Sequence, residues 1–160
     1  MTSTSSVRAR LLVIIPMILA LAGTLFTASV ASPSLPRASA TVTAVTGDHA
    51  ADWAQTRRGS WYRYGAVGPT RFDCSGLTKW SYARVGKYLP HSSAGQVRYA
   101  SGVSRASARR GDLVFFYSSS GVYHVGIYAG SGYVWHAPHT GTVVRLDRIW
   151  TSRVFFGRVR

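Results

Sequence analysis

The chain has 160 residues, and its 19 Lys and Arg against five acids give a formal net charge of +14. Its one cysteine excludes an intramolecular disulfide and the paired thiolates of a structural zinc site. All five acids are Asp, and Lys79 and Lys87 are the only lysines. A field of this sign either maintains solubility or favours adsorption to polyanions.

The first 40 residues do not read as folded domain. Arg8 and Arg10 precede an uncharged run from Leu11 to Val30, and Ala38-Ser39-Ala40 follows. Basic, apolar and small residues in that order are the layout of a secretory leader with a cleavage site. Ser29-Val30-Ala31 is a second possible cut. The apolar run is also long enough to span a bilayer of ~30 Å, so an uncleaved N-terminal anchor is the alternative. A lipid anchor on cysteine is excluded, because Cys74 lies far beyond the run. The expected organisation is a leader over 1–40, a linker over 41–47 and one domain over 48–160, with no internal repeat. For an exported chain, an anionic bacterial wall is a better polyanion partner than nucleic acid.

Along the domain, Gly47 to Arg58 suits a helix with Asp48 as N-cap and Gly59 as its end. Trp61-Tyr62-Arg63-Tyr64-Gly65 and Gly68-Pro69 read as loop. A second helix is expected from Cys74 to about Val85, with Gly86 as the stop. Leu77, Trp80 and Ala83 give it one buried face. A short third helix fits Ser93 to Ala100, capped by Ser92. Five short β-rich runs follow, over 112–117, 122–129, 133–137, 142–146 and 153–159. Helices first and strands afterwards predict an α+β domain with an antiparallel sheet.

Phe72-Asp73-Cys74-Ser75-Gly76 carries the chemistry. Asp73 is a good N-cap, which puts Cys74 in the first helical turn. Free N–H groups and the helix dipole there favour a thiolate, the nucleophilic form of a thiol whose ordinary pKa is ~8.5. The same N–H groups suit an oxyanion. The other reading of a lone cysteine is a buried structural one.

A base must come from the five histidines, His49, His91, His124, His136 and His139. His124 and His136 lie in β-patterned runs. Val122, His124, Gly126 and Tyr128 share one face of their strand, and Gly126 leaves open space beside His124. If Ala129 faces Tyr133 across a three-residue loop, Gly126 faces His136. His124 is then the diagonal neighbour of His136, ~7–8 Å away between backbones. A two-residue loop would send His136 to the opposite face. With the first register His136 orients His124 against Cys74, the nucleophile, base and orienter arrangement. Satisfied core histidines are one alternative. A metal held by His136, His139 and Cys74 is another, disfavoured because no acid or second cysteine is suitably spaced.

These stretches resemble the NlpC family of bacterial cell-wall cysteine peptidases. Trp61-Tyr62-Arg63-Tyr64-Gly65, Phe72-Asp73-Cys74-Ser75-Gly76-Leu77 and Leu89-Pro90 with Gln96 carry the first half of the likeness. Arg110-Gly111-Asp112-Leu113-Val114-Phe115-Phe116, His124-Val125-Gly126-Ile127-Tyr128 and Trp135-His136-Ala137 carry the second. The resemblance implies a papain-like fold, N-terminal helices packed on a C-terminal antiparallel sheet. It implies Cys74 as nucleophile, His124 as base and His136 as orienting residue, with no cofactor or metal. Tyr62 matches a tyrosine at the oxyanion side, and Asp73 and Ser75 are candidates for the free amine of a stem peptide. The implied reaction is hydrolysis of peptidoglycan stem peptides between D-glutamate and the following diamino acid, through a thioester, by a monomer. The glycine pair usual after the tyrosine is Gly65-Ala66 here, and no separate wall-binding domain is evident. The basic surface is a substitute for one.

Overall fold

The computed structural model describes residues 38–160. The leader expected over 1–40 lies outside them except for its last three positions, which are already helical. Helix α1 runs Ala38–Gln55. The helix passes through the segment expected as a linker over 41–47 and through Asp48, which is therefore not its N-cap. Packing holds its second half. Ala50, Ala51 and Ala54 are fully buried. A Cβ on Gly47 would lie 3.4 Å from the Gly111 Cα, so this glycine permits the helix to touch that turn. A glycine inside a helix costs about 1 kcal/mol against alanine, which this burial offsets. On the open side, Arg110 donates to the Asp48 carbonyl at 2.8 Å and to the Asp52 carboxylate at 2.7 Å.

The aromatic stretch expected as loop contains β1 (Trp61–Tyr62), which pairs in parallel with β2 (Arg71–Phe72) beyond it. Helix α2 spans Cys74–Ala83. Helix α3 covers only Ser93–Gln96, with the expected Ser92 cap, and passes into a 3-10 turn over Val97–Tyr99. Ala100, expected as its end, instead begins β3 (Ala100–Val103). Pairing drives the change: Ala100 faces Val159 at the sheet edge. The remaining strands are β4 (Leu113–Ser118), β5 (Gly121–Gly130), β6 (Tyr133–His136), β7 (Arg145–Arg148) and β8 (Val154–Val159). Strand β7 lies later than the run expected over 142–146.

Strands β3 to β8 form one antiparallel six-stranded sheet in the order β3-β8-β4-β5-β6-β7. The domain is α+β, as expected. Alternation along β4 and β5 sorts the core. Leu113, Phe115, Val125 and Ile127 pack with Leu77, Tyr82 and the alanines of α1. Val114, Phe116, Val134 and Phe156 form a second cluster, as period-2 strands require. Each fully buried Ile or Phe contributes about 1.5–3 kcal/mol. Helix α2 packs on both α1 and β5, which brings its first turn to the sheet.

Gly111 joins these layers. Its φ is +94°, and a Cβ there would lie 2.1 Å from the Gly47 carbonyl carbon. Its own carbonyl accepts the Tyr82 hydroxyl. We expect Gly111→Ala to cost about 2–4 kcal/mol in urea denaturation, since both strain and overpacking act. Gly102→Ala, with open space around its Cβ, should stay within about 0.5 kcal/mol. Equal midpoints for the two variants would refute this account.

Candidate active site

Asp73 builds the start of α2. Its backbone is extended, and its Oδ1 accepts the Gly76 N–H at 2.7 Å and the Ser75 hydroxyl at 3.2 Å. Its Oδ2 accepts the Gly65 N–H at 2.9 Å. His91 Nε2 sits 2.9 and 2.8 Å from the two oxygens. The Asp73 N–H in turn donates to the Ala66 carbonyl at 2.9 Å. The 65–66 loop therefore lies across the helix end, and Gly76 makes the room: a Cβ there would be 2.0 Å from the Ala66 oxygen. Behind this turn Gln96, fully buried, donates to the Ser75 and Pro90 carbonyls at 3.0 and 2.9 Å. That ties the His91 loop to the same helix start. Sequence alone gives His91 no part, because a contact across 18 residues leaves no local pattern.

Cys74 is the first residue of α2 and half-buried. Burial pushes the Cys74 pKa up, against the shift toward thiolate expected from the helix start, and the neighbouring Asp73 carboxylate adds to the rise. The backbone N–H groups of Val125, Ser75 and Cys74 pull the other way without cancelling it. The same acid that caps the helix thus opposes the thiolate.

The histidine pair stands on β5 and β6. Ile127 faces Trp135 and Tyr128 faces Val134, but Gly130 faces Tyr133. The connection is therefore two residues, Ser131 and Gly132, not three. Both have positive φ, 51° and 81°, as a type I′ turn requires. The extra residue, Ala129, is a bulge in β5, and it restores the parity that the expected loop was meant to supply. The space beside Gly126 is not open either. A Cβ there would lie 2.5 Å from Val134 Cγ2 and 3.1 Å from the His136 Cβ. Glycine at this position lets β6 carry His136 close against β5. His124 Nε2 and His136 Nδ1 are 2.9 Å apart. Trp150 stacks on His136 with ring centroids 5.2 Å apart, and Phe116 lies 5.3 Å from His124.

Burial holds His124 neutral, with its pKa down at about 3 and the His136 and His139 charges adding to the shift. Burial also lowers His136, although Asp147 pushes back. Asp147, not singled out in the sequence, bonds His136 Nε2 at 2.9 Å and accepts from Arg145 Nε at 2.6 Å. Its carboxyl is held below the usual range, because these two bonds outweigh its burial. Both His136 nitrogens are thus engaged, which leaves neither for a metal.

Cys74, His124 and His136 line one cleft of about 660 Å³, together with Tyr62, Asp73 and Ser75. All six residues singled out from the sequence are therefore brought together. Burial and the Cys74 and Asp73 charges raise the Tyr62 pKa, so its hydroxyl stays a donor. A thiol, a neutral imidazole and an O–H donor around one cleft are a set able to attack a carbonyl group. Iodoacetamide should alkylate Cys74 slowly at neutral pH, with the rate rising through an inflection above that of an ordinary exposed thiol. An inflection below that value, followed by mass spectrometry, would show a stabilised thiolate instead.

Residues 59–156 match the model of the NlpC/P60 family. The chain is 46% identical over 116 residues to a probable endopeptidase of Corynebacterium glutamicum, covering 72% of this chain and 54% of that protein. It is 38% identical over 103 residues to the peptidoglycan endopeptidase RipA of Mycobacterium tuberculosis, covering 58% and 22%. The chain thus spans about half the length of the first relative and about a fifth of the second. The solved NlpC/p60 domain of the peptidoglycan hydrolase SagA superposes with a TM-score of 0.65 at 31% identity, covering 71% of this chain and 98% of that one. With a family match across most of the described domain and this agreement in fold, the chain belongs to the NlpC/P60 family.

Proposed function

We propose that this domain is a cysteine-type peptidoglycan endopeptidase. The observation that carries the reading is Cys74 at the start of α2, sharing one cleft with the His124–His136 pair. Relatives named as endopeptidases support the reaction class, and the names RipA and SagA carry with them support the polymer. A cleft of this volume suits a short peptide segment.

The neutral resting pair sets the course of the reaction. His124 takes the Cys74 proton as the sulfur attacks the amide carbonyl carbon, so attack and deprotonation are coupled. The oxyanion meets the Tyr62 hydroxyl and the free N–H groups at the start of α2. Imidazolium His124 then gives its proton to the leaving amine, and the C–N bond breaks to leave a thioester. Water, deprotonated by His124, attacks the thioester and releases acid and thiol. The bond we infer is that between D-glutamate and the diamino acid of a stem peptide. Asp73 and Ser75 face the cleft where the free amine of such a peptide would lie. That amine has to share Asp73 with His91, since the carboxylate already accepts from Ser75, Gly76 and Gly65 as well.

Cys74→Ala should lower the release of fragments from defined stem peptides by at least about 10³-fold, with products identified by mass spectrometry. Undiminished release would end the assignment. A product cut elsewhere would keep the thiol mechanism and remove the bond.

Export to the wall fits both the leader-like N-terminus and the surplus of arginine. We infer that the domain acts there as a monomer held by its own positive field. Binding to purified walls in a pelleting assay should weaken steadily as salt is raised, because exposed charges are screened within about 10 Å at 0.1 M. Salt-insensitive pelleting would count against it.

A further inference from the structure

We propose that Asp147 is a positioning residue that fixes the tautomers of both histidines, so that His124 presents an unprotonated Nδ1 to Cys74. The proposal rests on the reading of Cys74 and His124 given above.

The strand register supplies the geometry. Arg145 and Asp147 are two apart on β7 and so share a face. His136 pairs with Arg145 and Val134 with Asp147, which makes Asp147 the diagonal neighbour of His136. From there its Oδ2 reaches His136 Nε2 at 2.9 Å and Arg145 Nε at 2.6 Å.

The hydrogen-bond inventory then leaves one arrangement. A carboxylate only accepts and a guanidinium only donates. His136 Nε2 must therefore carry its proton toward Asp147. A neutral imidazole has one N–H, so His136 Nδ1 is a bare acceptor. It lies 2.9 Å from His124 Nε2, which must then be the protonated nitrogen of His124. Nδ1 of His124 is left with its lone pair on the ring edge away from His136. Reversing either ring would set two lone pairs against each other, at Asp147 or between the rings. The stacked Trp150 and Phe116 rings limit the water that would relieve such a conflict.

Burial keeps the two imidazoles neutral, and the bonds from His136 and Arg145 keep Asp147 ionised. Proton balance is preserved in the reaction. His124 gains the thiol proton at Nδ1 while Nε2–H stays bonded to His136. No proton has to reach Asp147, which stabilises the resulting cation through the intervening ring. Arg145 holds the carboxylate in its rotamer.

Asp147→Ala is the test. It removes the acceptor of the His136 Nε2 proton, so neither ring is held in one tautomer. We expect kcat on a stem peptide to fall about 10- to 100-fold with KM within about twofold, and Asp147→Glu to recover most of the loss. Long-range ¹H–¹⁵N NMR of His-labelled protein at pH 7 reads the tautomers without turnover. The wild type should show protonated Nε2 on both His124 and His136, and the Ala variant a loss of that state. Protonated Nδ1 on wild-type His136 would overturn the proposal even if the variant failed to fold. So would an Ala variant with unchanged tautomers or unchanged kcat. Activity persisting in Cys74→Ala would instead refute the nucleophile, and the NMR result would stand apart from it.

Discussion

The Asp73 carboxylate is the constraint on which the site depends. It closes the N-terminus of α2 through Gly76, fastens the 65–66 loop through Gly65, holds the Ser75 hydroxyl and meets His91. Buried charges are tolerated only when paired and hydrogen-bonded, and Asp73 satisfies that rule with four partners. Each partner belongs to a different wall of the cleft or to the helix turn that carries Cys74. Removing the carboxylate would therefore loosen several walls at once, beyond the roughly 1 kcal/mol of a lost cap.

The sheet supplies the second half by register. Strand β5 reaches α2 with Val125, whose amide bears on the Cys74 sulfur, while its neighbour His124 points to the other side. That alternation would separate the two if the helix lay flat on the sheet. The first turn of α2 instead reaches the cleft into which His124 opens. The bulge at Ala129 and the missing side chain at Gly126 then decide whether His136 arrives beside His124. Two backbone features thus set the spacing of two imidazoles.

Much of this was legible in the sequence because it is local. An Asp before a helical run announces a cap, and alternating residues announce which histidines share a face. The α+β class followed from the change of period between the halves. Other features depend on contacts between distant segments and leave no local pattern. The seat of α1 needs the approach of Gly47 to Gly111, and β3 needs Val159 to pair with. His91 meets Asp73 across 18 residues, and Asp147 meets His136 across 11. The β5–β6 turn is instructive, since the expected parity was reached through a shorter loop and a bulge. Periodicity constrains the parity of a strand pair, but not the way the chain achieves it.

The electrostatics was the least legible part, because it is a difference between opposing terms. A helix N-terminus favours a thiolate by about 1 kcal/mol or less when exposed. Burial and an adjacent carboxylate oppose it, and here they win. The carboxylate cannot be dispensed with, because it builds the helix start. A site assembled this way favours a thiol over an ion pair, so the proposed reaction needs a base ready to accept a proton at the moment of attack. Burial supplies that as well: the low dielectric that disfavours the thiolate also keeps His124 uncharged. The two shifts have one cause, and together they make the direction in which the His124 lone pair points matter more than the ionisation of the sulfur.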